Sequence, residues 1–289
     1  MTASSSSVVP CEKTAVQTLQ EIAELHRDIF HCFLEREGTV LPVKKFDSVL
    51  VDVFNRTVEL CTIHPQQVHY CDDFDDPAAL RAARHPFSED ATEVIPFFPA
   101  GTDLSLEISY KKFNMCDFSV AMLLGSLEEQ IQEYFPDAVV DWLEVSIAPA
   151  RKFSRLNMPS DPSEPSLHSA ILVTIPDLVD IYVIDFTIEQ FGYDKWILPT
   201  TEYINFRATT KWNLPDLTET LTALEPYFPS DHAECRWIVQ DLCTKLDWSA
   251  LMEMERQERR IDVITQACKV LDSDKDQVLR KYLGITQMS

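Results

Sequence analysis

Between about residues 12 and 36 the apolar side chains fall at Val16, Leu19, Ile22, Leu25, Ile29 and Phe33. Steps of three and four residues place them on one face of a helix, which ends near Gly38. The stretch from Asp47 to about Cys61 carries Val49, Leu50, Val53, Phe54 and Val58, and predicts a second helix with one buried stripe. Periodicity then stops. Residues 62–103 hold prolines at 65, 77, 86, 96 and 99 among many acids, which predicts an irregular excursion with one short helix around Pro77 to Arg84. A loop of that length is uncommon without a task, so it is a candidate lid over a site.

From Phe118 to Phe135 the helical spacing returns at Val120, Leu123, Leu124, Leu127, Ile131 and Tyr134, and stops at Pro136. Three runs rich in β-branched residues, Val139 to Ile147, Ser169 to Ile175 and Ile181 to Phe186, predict strands. Between the first two, Asn157 to Pro165 is rich in Pro and Ser and reads as an exposed loop. Trp196 to Phe206 reads as a further strand, and Asp216 to Leu224, Asp231 to Leu246 and Trp248 to about Leu283 as helices. Trp196, Trp212, Trp237 and Trp248 are expected as core anchors. Glu253, Glu255 and Glu258 among Arg256, Arg259 and Arg260 read as a solvated face with i to i+4 pairing.

The sum is an α+β fold, a helix packed on a central antiparallel sheet with additional N- and C-terminal helices. Residues 1–10 form a Thr/Ser tract expected to be disordered. A single domain then spans 11–289, with a core at about 104–210, a helical N-terminal part at 11–61 and a helical C-terminal part from about 212, the last separable in an alternative reading.

Composition narrows the function classes. A net charge of -22 with no basic stripe argues against nucleic acid and anionic membranes as partners. No window supplies the roughly 18 apolar residues of a membrane span. Eight cysteines without a Cys-x-x-Cys pair suit a reducing compartment, and the Ser-rich start lacks secretory features, so the expected address is cytoplasmic. Five dispersed glycines exclude the Walker A, G-x-G-x-x-G and G-x-S-x-G motifs, and no cofactor is called for.

Three residues then stand out. Cys116 lies at the mouth of a helical pattern, His168 at the head of an apolar strand, and Asp185 at the close of the next strand. Acyl transfer by cysteine needs a thiolate, and the first-turn amides of a helix stabilise negative charge there and donate to an oxyanion. Asn114 or Asp117 could cap that turn, although Asp117 would oppose a thiolate. An antiparallel hairpin turning at Ile175-Pro176-Asp177-Leu178 would bring the start of one strand beside the end of the other, and so His168 beside Asp185.

This order, with the run Tyr182-Val183-Ile184-Asp185-Phe186-Thr187-Ile188-Glu189-Gln190-Phe191-Gly192, resembles the transglutaminase-like branch of papain-like thiol enzymes, over about residues 110–203. The resemblance implies Cys116 as nucleophile, His168 as base and Asp185 as its orienter, with Thr187 and Gln190 shaping the site. The glycine-rich approach to the nucleophile is missing, since Lys112-Phe113-Asn114-Met115 precedes Cys116. Tyr110 stands where papain-like sites place an oxyanion-donating Gln, and its hydroxyl can donate in that role.

The expected activity is acyl transfer, or amide hydrolysis or formation, through a thioester on a small-molecule or peptide substrate. The acidic surface favours an amine or another cationic group. Two alternatives stay open: a non-catalytic binding or scaffold protein of the same fold, and an aminoacyl or acyl transferase with a carrier-bound donor. Metals are not expected. His64, His69, Cys71, Asp72 and Asp73 match no usual zinc module, and Asp272, Asp274 and Asp276 open a calcium-like loop whose glycine and glutamate positions hold Gln277 and Leu283. Ser273 with Asp276 reads instead as a capping box.

Overall fold

The structure, a computed structural model, describes residues 14–36, 43–53, 55–65, 98–155, 160–176, 178–206, 208–227 and 230–285. The expected short helix at Pro77 to Arg84, the N-terminal tract and most of the candidate lid lie outside the described residues. Helix α1, Ala15–Glu35, starts from a capping box in which the Thr14 hydroxyl and the Gln17 side chain satisfy each other's backbone N–H groups.

The second predicted helix is a β-hairpin. Strand β1, Val43–Val53, pairs antiparallel with β2, Arg56–Pro65. The apolar spacing misled because Val49 and Leu50 face solvent at 52% and 71% exposure, while the buried set Val58, Cys61 and Ile63 belongs to the returning strand. A segment dense in Val and Thr prefers the pleated surface, where branched Cβ atoms pack without crowding a helical turn. The N-terminal part at 11–61 is therefore one helix followed by a hairpin.

Helix α2, Leu104–Lys111, is capped by Asp103, and helix α3 runs Cys116–Tyr134. Strands β3, Val139–Ile147, β4, Arg151–Arg155, β5, Ser166–Thr174, and β6, Tyr182–Ile184, follow. A 3-10 turn, Ile188–Phe191, leads to β7, Ile197–Pro199, helix α4, Thr200–Phe206, and β8, Ala208–Asn213. The strand expected over Trp196 to Phe206 is thus three residues of β7 and a helix: the Thr200 N–H makes the last ladder bond, to the Ile181 carbonyl, its hydroxyl meets the same oxygen, and the helix starts at that residue. Helices α5, Leu217–Leu224, α6, Ser230–Lys245, α7, Trp248–Glu253, α8, Arg256–Leu271, and α9, Lys275–Val278, complete the chain, with a π turn at Leu279–Leu283.

Two sheets form. The larger has the order β7-β6-β5-β3-β8 with antiparallel neighbours throughout, and the smaller has the order β1-β2-β4 with β2 and β4 parallel. One face of the large sheet, with Trp142, Ile171, Val173 and Ile184, shares a continuous apolar core with α1, α3 and helices α6 to α9. The other face buries Leu143, Val145, Ala170, Leu172 and Val183 against Phe191, Leu198 and Tyr203.

The expected solvated face is only partly solvated: Glu253, Glu255, Arg256 and Glu258 are exposed, while Arg259 is buried and Arg260 half-buried. Arg256 and Arg260 clamp Glu24 and Asp28 of α1, each with a contact of 2.6 Å, and Arg259, 1% exposed, reaches Glu21 at 3.0 Å. Helix α1 is buried around most of its circumference, so its carboxylates need partners from the chain. Trp248 is buried, but Trp212 and Trp237 are 54% and 70% exposed and are not core anchors. The predicted capping box at Ser273 is replaced by Asp274, which accepts from the Gln277 N–H, while the Ser273 hydroxyl bonds the Cys32 carbonyl of α1. Among the described residues no helix is long and apolar enough to cross a membrane.

Candidate active site

Cys116 is the first residue of α3. No side chain caps this helix: the N-cap position is Met115, and neither Asn114 nor Asp117 accepts from the first turn. The first helical bond runs from the Ser119 N–H to the Met115 carbonyl at 2.8 Å, so the amides of Cys116, Asp117 and Phe118 have no intrahelical acceptor. Cys116 is also the half-buried thiol among the described free cysteines, while Cys32, Cys61, Cys235, Cys243 and Cys268 are buried.

His168 sits on β5 with its ring on the sheet face opposite Ser169, packed edge-on against Phe191 at 4.8 Å. Asp185 follows β6 by one residue. Its N–H bonds the Trp196 carbonyl at 2.7 Å, which extends the β6-β7 pairing and fixes the side chain toward β5. The His168 Nε2 and the Asp185 Oδ2 are 2.7 Å apart, both side chains almost fully buried. The other ring nitrogen, Nδ1, is buried without a hydrogen-bond partner. Cys116 is one of the side chains that act electrostatically on the ring, while its thiol is directed to Asp117 Oδ1 at 3.8 Å. Nucleophile-to-base contacts are often loose before substrate arrives.

The electrostatics of the imidazole follow. Burial alone would lower its pKa, but the charge and hydrogen bond of Asp185, aided by Cys116, raise it to about 10. The ring is therefore cationic at neutral pH. The carboxylate is saturated with donors: Oδ1 accepts from the Thr187 N–H at 3.1 Å and lies 3.5 Å from the Thr187 hydroxyl, while Oδ2 also accepts from the Tyr203 hydroxyl at 2.7 Å.

The turn that leads into Cys116 is tied to the turn that follows Asp185. Asn114, at φ 59, donates its backbone N–H to Gln190 Oε1 at 3.1 Å. This fixes the orientation of the Gln190 amide, since only its oxygen can accept there. Its Nε2 is buried with no acceptor, next to the turn that leads into Cys116. Lys112 pairs with Glu189 at 2.9 Å, and burial, opposed by Glu189, brings the ammonium pKa down to about 8. The Ser109 hydroxyl bonds the Glu189 carbonyl at 2.7 Å. Gly192 closes this turn at φ 81, and a Cβ there would meet Arg151 Cβ at 2.9 Å, so glycine is required.

Of the residues singled out in the sequence, Cys116, His168, Asp185, Thr187, Asn114 and Gln190 lie in one connected region. Tyr110 packs elsewhere, in an aromatic cluster with Phe46, Phe98, Phe113 and Phe153 against the small sheet. Residues the sequence did not single out for the site are Tyr203, Ser169 and Trp142. The Ser169 hydroxyl donates to Asp117 Oδ1 at 2.5 Å and accepts from Trp142 Nε1 at 2.9 Å, which ties the first turn of α3 to the sheet. Asp117 Oδ1 lies 3.8 Å from the Cys116 sulfur.

Among the described residues no group of three or more His, Cys, Asp or Glu side chains could hold a metal ion. His64 pairs with Asp47 at 2.8 Å, and residues 69–73 of the zinc-like stretch lie outside the described residues. No family model, curated protein or solved structure matches the chain.

Proposed function

We propose that the chain catalyses acyl transfer through a thioester on Cys116, hydrolysing or forming an amide or related acyl bond. A single observation supports this above the others: a half-exposed cysteine at an uncapped helix start shares one buried imidazole with a donor-saturated carboxylate. In the reaction, the sulfur attacks the acyl carbon while its proton resides on His168. The C–S bond forms, the carbonyl electron pair moves to oxygen, and the Cys116 amide and Gln190 Nε2 donate to that oxyanion. Collapse of the oxyanion breaks the bond to the leaving group, which takes the His168 proton. The neutral imidazole then removes a proton from the acceptor, water or an amine, as it attacks the thioester and releases the sulfur.

Binding without catalysis would not need an imidazole with one nitrogen held by a carboxylate and the other buried without a hydrogen-bond partner. The acidic surface, with a net charge of -22, favours acyl donors and acceptors that are neutral or cationic. The order of helix, strand and strand is also that of the transglutaminase-like enzymes the sequence resembles.

The test uses p-nitrophenyl acetate as a minimal acyl donor. Intact-mass measurement after rapid quenching is expected to show one acetyl adduct on the wild type, absent from Cys116→Ala and slowed by about 10²-fold or more in His168→Ala. Equal adduct formation in all three proteins would overturn the proposal.

A further inference from the structure

The mechanism above leaves one buried contact without a task. Tyr203 lies on α4, is 1% exposed, and directs its hydroxyl to Asp185 Oδ2 at 2.7 Å, the same oxygen that His168 Nε2 meets at 2.7 Å. A buried phenol needs an acceptor, yet it lies in an apolar cluster with Val145, Leu172 and Leu198 and takes the one carboxylate oxygen already engaged by the imidazole. The arrangement has two physical effects. With the Thr187 N–H on Oδ1, the phenol on Oδ2 leaves the carboxylate little freedom to rotate, so the imidazole plane is held as well. It also draws negative charge from the oxygen that faces Nε2 and weakens the attraction that keeps the ring protonated.

We propose that Tyr203 is a positioning residue that shares Asp185 with His168 and thereby sets the basicity of the imidazole. The inference rests on the acyl-transfer reading for its significance. There His168 must be acid in the first step and base in the second, and a ring bound to an unshared carboxylate would hold its proton too firmly to change roles. The titratable and charged groups around the ring are Asp185 and Cys116, with Lys112 beyond the carboxylate. None of them is altered when only the phenol oxygen is removed.

The measurement is an NMR titration of the His168 ring nitrogens in the full chain. Tyr203→Phe keeps the aromatic ring and is expected to move the His168 midpoint upward by about one pH unit, the effect of removing one hydrogen bond from a charged acceptor. Protein grown with 3-fluorotyrosine in place of tyrosine keeps every phenol but makes it a stronger donor, and its His168 midpoint is expected to fall. Opposite shifts in the two proteins establish the role, because a purely structural contact would alter thermal stability without moving the midpoint in either direction. An unmoved midpoint in both, or shifts of the same sign, would overturn it. Acetylation of Cys116 by p-nitrophenyl acetate separates the two claims. Shifts without acetylation retire the enzyme reading and keep the positioning role, and acetylation without shifts does the reverse.

Discussion

Asp185→Asn is expected to slow acetylation of Cys116 by about 10²–10⁴-fold while the protein stays folded. The size follows from the balance at His168. Burial lowers the imidazole pKa, and what overcomes it is first the charge and then the hydrogen bond of Asp185. An asparagine keeps the shape and one acceptor oxygen but removes the charge, so burial is opposed by Cys116 alone and the pKa of the ring falls. A ring of lowered basicity no longer holds the thiol's proton, so the thiolate that attacks the ester is lost. The amide also has only one oxygen for the three donors that Asp185 now satisfies, His168, Thr187 and Tyr203. Stopped-flow release of p-nitrophenol reads the rate, and far-ultraviolet circular dichroism checks the fold. A rate within a few-fold of the wild type would mean that the carboxylate is a spectator.

The largest effect on stability is expected at Glu35. This carboxylate ends α1 and collects Lys111 at 2.5 Å, Gln277 at 2.5 Å, Tyr282 at 3.0 Å and Lys281 at 3.3 Å. It joins the N-terminal helix to the helix just before Cys116 and to the segment Lys275–Leu283. Glu35→Ala would leave the Lys111 ammonium, 8% exposed, without its main partner, and cost about 3–5 kcal/mol in urea unfolding. Glu35 is pulled below its ordinary pKa of 4.5 by Lys111 and Lys281 against the opposing effect of burial. A depressed carboxylate contributes fully above that unfolded-state value and loses its contribution as pH falls through the folded one. The difference between wild type and variant is therefore expected to shrink on acidification below about pH 4.5.

The adjacency of His168 and Asp185 in the candidate site was legible because the local context of both residues is strong. Cys116 precedes a long apolar periodicity, and two β-branched runs joined by a Pro-containing turn place His168 and Asp185 on neighbouring antiparallel strands. What the sequence hid depends on partners far away in the chain. Tyr203 reaches Asp185 from a helix where the sequence predicts a strand, because β7 ends after three residues and the helix begins at once at Thr200. The pairing of the α8 arginines with α1 was hidden because the carboxylates they meet are more than 200 residues away, 232 in the case of Arg256 and Glu24. The hairpin of β1 and β2 was read as a helix because its exposed strand carries large apolar residues that a pattern argument assigns to a core. The packing of the Tyr110 ring against the small sheet is likewise made with residues distant in the chain.

The most direct test of the coupling between sulfur and imidazole is the His168 titration in wild type and in Cys116→Ala. The wild-type ring is expected to stay protonated through neutral pH and to titrate near 10, with a lower midpoint once the sulfur is removed. A ring that titrates at or below 6.5 in both proteins, indifferent to the thiol, would contradict a shared catalytic unit.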